Sequence, residues 1–82
     1  MARLIKSNGE TIADYSCNSL KAMQEAVGGY IEPIYTSRWV VLVNEEGFLN
    51  NLPLNIEVSA LCGQPIVGDA LVMTWEDWDS QN

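Results

Sequence analysis

Short apolar runs separated by polar breaks organise the chain, and their periods identify the elements. Ala2 to Lys6 and Thr11 to Tyr15 are strand-length runs flanking Ser7-Asn8-Gly9. Asn-Gly between two such runs signals a hairpin, because both residues tolerate positive φ. Polar Cys17-Asn18-Ser19 then precedes Leu20 to Val27, where Leu20, Met23 and Val27 recur at the spacing of one helical face. Asn18 or Ser19 supplies the N-cap, and Gly28-Gly29 stops the helix. Tyr30 to Tyr35 is aromatic and β-branched but holds Pro33, which has no N–H to give to a ladder, so this segment belongs at a sheet edge or a bulge. Arg38 to Val43 is the most uniformly apolar strand candidate, which predicts cover on both faces and a place in the middle of the sheet.

Asn44-Glu45-Glu46-Gly47 has the composition of a turn, with Gly47 expected in the left-handed conformation. Asn50 to Leu54 reads as irregular chain. Asn55 then caps a short helix over Ile56 to Cys62, expected to face the core with Ile56, Ala60 and Leu61 and to end at Gly63. Gln64 to Thr74 breaks at Gly68-Asp69, a turn or bulge, before a final strand from Ala70 to Met73. From Glu76 to Asn82 there is no apolar periodicity, so this acidic tail is expected to fray. The order β-β-α-β-β-α-β predicts an α+β fold of two layers, a mainly antiparallel sheet with two helices. It occupies a single domain over residues 1–75, followed by the acidic C-terminal tail 76–82.

Composition narrows the function classes. A chain of 82 residues with 48% apolar content has room for one packed core. A core of that size buries only about 60% of the unfolded surface, which leaves homo-oligomerisation open. Eleven acidic residues against four basic ones give a net charge of −7. Direct nucleic-acid binding is disfavoured, since it rests on lysine and arginine contacts and only Arg3, Lys6, Lys21 and Arg38 are present. A basic protein partner suits this field better, although acidity also serves solubility alone. Cys17 and Cys62 match no zinc or redox spacing and read as small buried hydrophobes, with one structural disulfide as the alternative. With no signal peptide and no long apolar run, the chain reads as cytoplasmic, with no membrane partner.

The chain has no histidine, which removes the commonest general base and every Ser-His or Cys-His nucleophile pair. Glu45-Glu46 is the remaining candidate for acid–base or magnesium chemistry, yet adjacent residues at a strand end point opposite ways and a solvated turn explains them. Gly28-Gly29 follows a helix instead of preceding one, so it is not a phosphate cradle. No catalytic residue, metal site or cofactor is expected. Trp39 reads as core, whereas Trp75 and Trp78 are interleaved with Glu76, Asp77 and Asp79. That acidic and aromatic mixture suits docking on a basic, apolar groove of another protein, and a free tail is the alternative.

Four segments carry a resemblance: Leu20 to Glu32, Val43 to Gly47, Leu52 to Asn55, and Ile66 to Val72. In them the chain resembles a family of small domains of unknown function, number 3846 in that series, found in bacteriophages, mobile elements and some bacteria. The resemblance runs from about residue 3 to residue 73. It implies a phage or mobile-element source, with the host cytoplasm as location, and brings no reaction and no catalytic residue. Gly28, Gly29, Tyr30, Glu32, Asn44, Glu45, Gly47, Asn55, Gly68 and Asp69 match its pattern. The glycines and asparagines have structural explanations above, and Glu32 and Glu45 have none.

Tyr30, Glu32, Asn44, Glu45, Asn55, Trp75 and Trp78 are therefore the candidate partner- or ligand-binding residues. The expected function is that of a non-catalytic interaction protein that binds and modulates a host or phage protein, in an accessory or counter-defence role. The alternative is a homo-oligomeric module holding a nucleotide or metabolite near Tyr30, Glu45 and Asn55. A carboxylate-dependent metal enzyme using Glu45 and Glu46 ranks third. Glu32 and Glu45 on one exposed surface favour the first reading, and a pocket shared with Tyr30 favours the second.

Overall fold

A computed structural model of the chain describes residues 2–80. Its strands are β1 (Ala2–Ile5), β2 (Thr11–Tyr15), β3 (Ile31–Tyr35), β4 (Trp39–Asn44) and β5 (Ala70–Thr74). They form one antiparallel sheet in the order β2-β1-β5-β4-β3. The helices are α1 (Leu20–Val27), α2 (Ile56–Cys62) and α3 (Trp75–Asp79). The α+β class and the antiparallel sheet are those the sequence predicts. The apolar β4 lies inside the sheet, although β5 takes the central place because β1 pairs with it from the far side. Pro33 sits in β3 at one edge, as a residue without an N–H donor requires. The other edge, β2, is interrupted by a left-handed Asp14 at φ 55°, next to the shift in register against Ala2 and Leu4. Such a bulge keeps an edge from pairing with other chains.

The two helices predicted from sequence pack on opposite faces, so the layers are helix, sheet, helix where two layers were expected. Met23 and Ala26 of α1 join Leu4, Val40, Leu42, Leu71 and Met73 in one core. Val58 of α2 joins Ile5, Val41, Val43, Ala70 and Val72, which point the other way from the same strands. This arrangement accounts for the unbroken apolar run of β4, which has a core to fill on each side. In α1 the predicted Met23 and Val27 are buried and only Leu20 is not, whereas in α2 the stripe differs more. Leu20 is 57% exposed and Ile56 is 75% exposed. Ala60 is exposed too, and the inward residues of α2 are Val58, Leu61 and Cys62. Periodicity gives a helix its apolar face, but the capping contact sets which turn of that face meets the sheet.

The C-terminal segment corrects the expectation of fraying over its first residues. Thr74 caps α3 by accepting the Asp77 N–H at 3.1 Å, and Glu76 and Asp77 lie in the first turn, where carboxylates oppose the helix dipole favourably. Trp78 packs against the core on the α1 face. Trp75 and Glu76, which the sequence assigned to the domain and the tail, are thus neighbours in one helix. Residues 81 and 82 of the predicted tail lie outside the described residues.

Candidate functional site

Asn44 and Asn55 are polar centres within the fold. Asn55 is 1% exposed. Its Nδ2 donates to the Ile5 carbonyl at 2.9 Å and the Gly68 carbonyl at 3.0 Å, while its Oδ1 accepts the Val58 N–H at 3.1 Å. One side chain thereby caps α2 and ties it to the ends of β1 and β5. Asn44 is 8% exposed, donates to the Val27 carbonyl at 3.2 Å, and accepts the Glu46 N–H at 2.8 Å. It joins the end of α1 to the turn after β4. Both asparagines were candidates for a binding surface, and both have their hydrogen-bonding groups committed to backbone inside the protein.

The glycines that match the family pattern surround these centres. A Cβ on Gly29 would lie 2.9 Å from Asn44 Nδ2, and one on Gly47 would lie 2.8 Å from Val67 Cγ2. Close approach therefore explains Gly47, whose φ is not in the left-handed region. Gly68 has φ +81°, and a Cβ there would lie 2.7 Å from Leu52 Cδ1. Asp69 Oδ1 accepts the Ser7 N–H at 3.0 Å, fastening the start of β5 to the β1–β2 hairpin.

The remaining candidates gather along the β3 edge. Tyr30, 68% exposed, precedes the strand, and its carbonyl accepts the Glu45 N–H at 2.9 Å. That bond brings Glu45 beside Glu32, and the two carboxylates line one cleft of about 330 Å³ over Ile34, Val43 and Ile66. Exposed Phe48 stands on the same cleft. Tyr30 instead lines a separate hollow with Gly29, Asn44 and Asn50. At the other end of β3, Tyr35 stacks on Trp75 with ring centres 5.1 Å apart and meets Trp78 edge-on at 6.4 Å. The Trp75 indole N–H donates to the Thr36 carbonyl at 2.9 Å, which pins α3 to this edge. Among the described residues neither the Glu32 nor the Glu45 carboxylate has a cationic partner. The edge is therefore acidic at one end, and at the other it is aromatic with the carboxylates of α3 beside it.

Sequence reasoning missed Tyr35 and Phe48. An exposed phenylalanine in a glycine turn was the available signal for Phe48, whereas Tyr35 becomes notable only once Trp75 is placed against it. Trp39, expected in the core, is only half-buried, at the start of β4. Neither Cys17 nor Cys62 is in a disulfide, and burial pushes the Cys62 thiol pKa up. Among the described residues no group of three metal-ligating side chains converges, and no helix is long and apolar enough to cross a membrane.

A family model described as a domain of unknown function (DUF3846) matches residues 1–81. The chain belongs to this family. The match runs through Trp75 and Trp78, which the sequence resemblance had left outside the pattern. No curated protein and no solved structure matches the chain. Of the ten positions quoted for the DUF3846 resemblance, Tyr30, Glu32 and Glu45 are the ones whose side chains are exposed without a packing or capping task. All three lie at the β3 edge.

Proposed function

We propose that this DUF3846 protein is a non-catalytic interaction protein whose β3 edge docks on a basic surface of another protein and modulates it. The observation that carries the reading is one cleft at the β3 edge shared by Glu32, Glu45 and exposed Phe48, with Tyr30 exposed beside it and Tyr35, Trp75 and Trp78 clustered at the other end of the strand. Aromatic side chains held by neighbours lose little freedom on binding, and unpaired carboxylates steer a cationic partner toward them. Pro33 in the edge strand argues for side-chain docking over added strand pairing. A phage or mobile-element gene product acting on a protein of the host cytoplasm, in an accessory or counter-defence role, fits these features.

The test is site-specific photo-crosslinking in host cells, with the crosslinking residue at Phe48 or Glu32 and a control at Ile12 on the opposite edge. The same basic protein captured from the β3 positions and not from Ile12 supports docking there. Equal capture from both edges, or none from β3, removes the reading. One feature favours the ligand-binding alternative, since the Glu32 and Glu45 cleft reaches the lower end of small-molecule pocket volumes. Native mass spectrometry of the purified protein, showing a bound metabolite, would favour it.

A further inference from the structure

The cleft at the β3 edge combines three kinds of surface that different elements supply. Its floor is apolar, formed by Ile34 of β3, Val43 of β4 and Ile66 of the chain leading to β5. Glu32 and Glu45 bring two exposed carboxylates to the same cleft, and exposed Phe48 brings an aromatic ring. None of the four basic residues of the chain lines it, so the charge of this lining is one-sided.

Size and charge together select an occupant. A cube of about 330 Å³ measures about 7 Å a side, too narrow for a helix about 10–12 Å across. One long side chain is the scale that fits. An anion is opposed by both carboxylates and by the net charge of −7, whereas a cation is drawn in by both. A purely apolar side chain would strip water from the carboxylates and give them no partner. The occupant therefore needs an apolar stem for the floor and a cationic head for the carboxylates, which leaves lysine and arginine. Arginine is the better match. Its guanidinium is planar and weakly hydrated, offers N–H groups to two carboxylates at once and lies flat on an aromatic ring, whereas the lysine ammonium is compact and strongly hydrated.

We infer that the cleft holds one arginine side chain of the protein that docks on the β3 edge, with the methylene stem over Ile34, Val43 and Ile66 and the guanidinium against Glu32, Glu45 and Phe48. This inference rests on the docking role proposed for that edge, and it names the chemical group the edge reads. The basic character of the partner is thereby narrowed to an exposed arginine.

Nuclear magnetic resonance of the full, isotope-labelled chain tests it, with N-acetyl-arginine amide as the probe at about 0.1 M salt, which screens the general field beyond about 10 Å. Shifts are expected at Ile34, Glu45, Phe48 and Ile66 and not at Ile12 on the far edge, with a Kd of about 1–10 mM. The lysine analogue carries the same charge and is expected to bind at least about three-fold more weakly, while the neutral citrulline analogue produces no shifts. Glu32→Gln with Glu45→Gln keeps the shape of both side chains and should weaken the arginine probe at least about ten-fold. Phe48→Leu, which leaves both carboxylates in place, should weaken it about three-fold. Dispersed spectra show that each variant is folded. Three results overturn the inference: no shifts in the wild type at about 50 mM probe, a lysine or citrulline analogue that binds as tightly as the arginine probe, or binding unchanged in both variants. The crosslinks from Phe48 and Glu32 are read separately. Crosslinks without shifts sink the arginine assignment and leave the docking edge, and shifts without crosslinks do the reverse.

Discussion

The asparagine centre of the molecule and its β3 edge are built from the same class of residue, polar side chains at turns and strand ends, and they differ in what those side chains touch. Asn44 and Asn55 bond only to backbone, across segments remote in sequence. Glu32 and Glu45 bond to nothing cationic among the described residues and face a cleft. A buried polar group left without partners costs far more than a satisfied one contributes, so the interior residues are fixed by the fold. The edge residues have no such constraint, and the contact role proposed above makes use of that freedom. Matching a family pattern therefore mixes two causes, and burial separates them.

Substitutions sharpen this contrast in descending order of effect on stability. Asn55→Ala removes three hydrogen bonds and strands the Val58 N–H together with two carbonyls. Urea unfolding is expected to show a loss of about 2–4 kcal/mol, and a loss under about 1 kcal/mol would dissolve the distinction between centre and edge. Gly68→Ala forces a side chain into a left-handed position against Leu52. Its expected loss is about 1–2 kcal/mol in the same experiment, and a neutral result would mean that the 68–69 turn relaxes freely.

Trp75→Ala tests the other side of the comparison. It loses the Tyr35 stack and the bond to Thr36, at an expected cost of about 1–2 kcal/mol. Trp78 fluorescence should report release of α3 from the sheet. An unchanged spectrum would show that the helix holds its place without that contact. Glu32→Lys with Glu45→Lys should alter stability by no more than about 0.5 kcal/mol while abolishing crosslinking to a basic partner. A large stability change there would make the edge structural after all.

Cys62 gives the smallest effect. Burial raises its thiol pKa, so alkylation should be slower than for a free cysteine near neutral pH and should accelerate as pH rises. The sign for stability follows from the neutral thiol being favoured in the folded state. Its contribution is fully present below the unfolded pKa and is lost as pH climbs through the raised folded value. Alkylation as fast as in the denatured chain would show that α2 opens readily.

Much of the fold was legible because local signals agree. Asn8-Gly9, the Ser19 and Asn55 caps, the stops at Gly28 and Gly63, and the unbroken apolar β4 each identify an element by a short-range mechanism. The errors fall where a local pattern allows several outcomes. Leu20 and Ile56 satisfy a helical period yet remain outside, because the cap and the sheet decide the helix rotation. Gly47 suits a left-handed turn yet is required for close approach to Val67. The tail lacks an apolar period, but its acidic residues suit a helix N-terminus and Trp78 reaches the core.

By itself the sequence determined the element order as far as β5, the antiparallel class, the edge place of a proline-bearing strand and the absence of histidine chemistry, because each depends on residues a few positions apart or on composition. Only the tertiary structure decided which face each helix covers, which polar residues are consumed inside, and that Tyr30, Glu32, Glu45, Trp75 and Trp78 share one edge. Those outcomes depend on contacts between segments more than 60 positions apart, such as Ser7 with Asp69, and no local period or propensity carries that information.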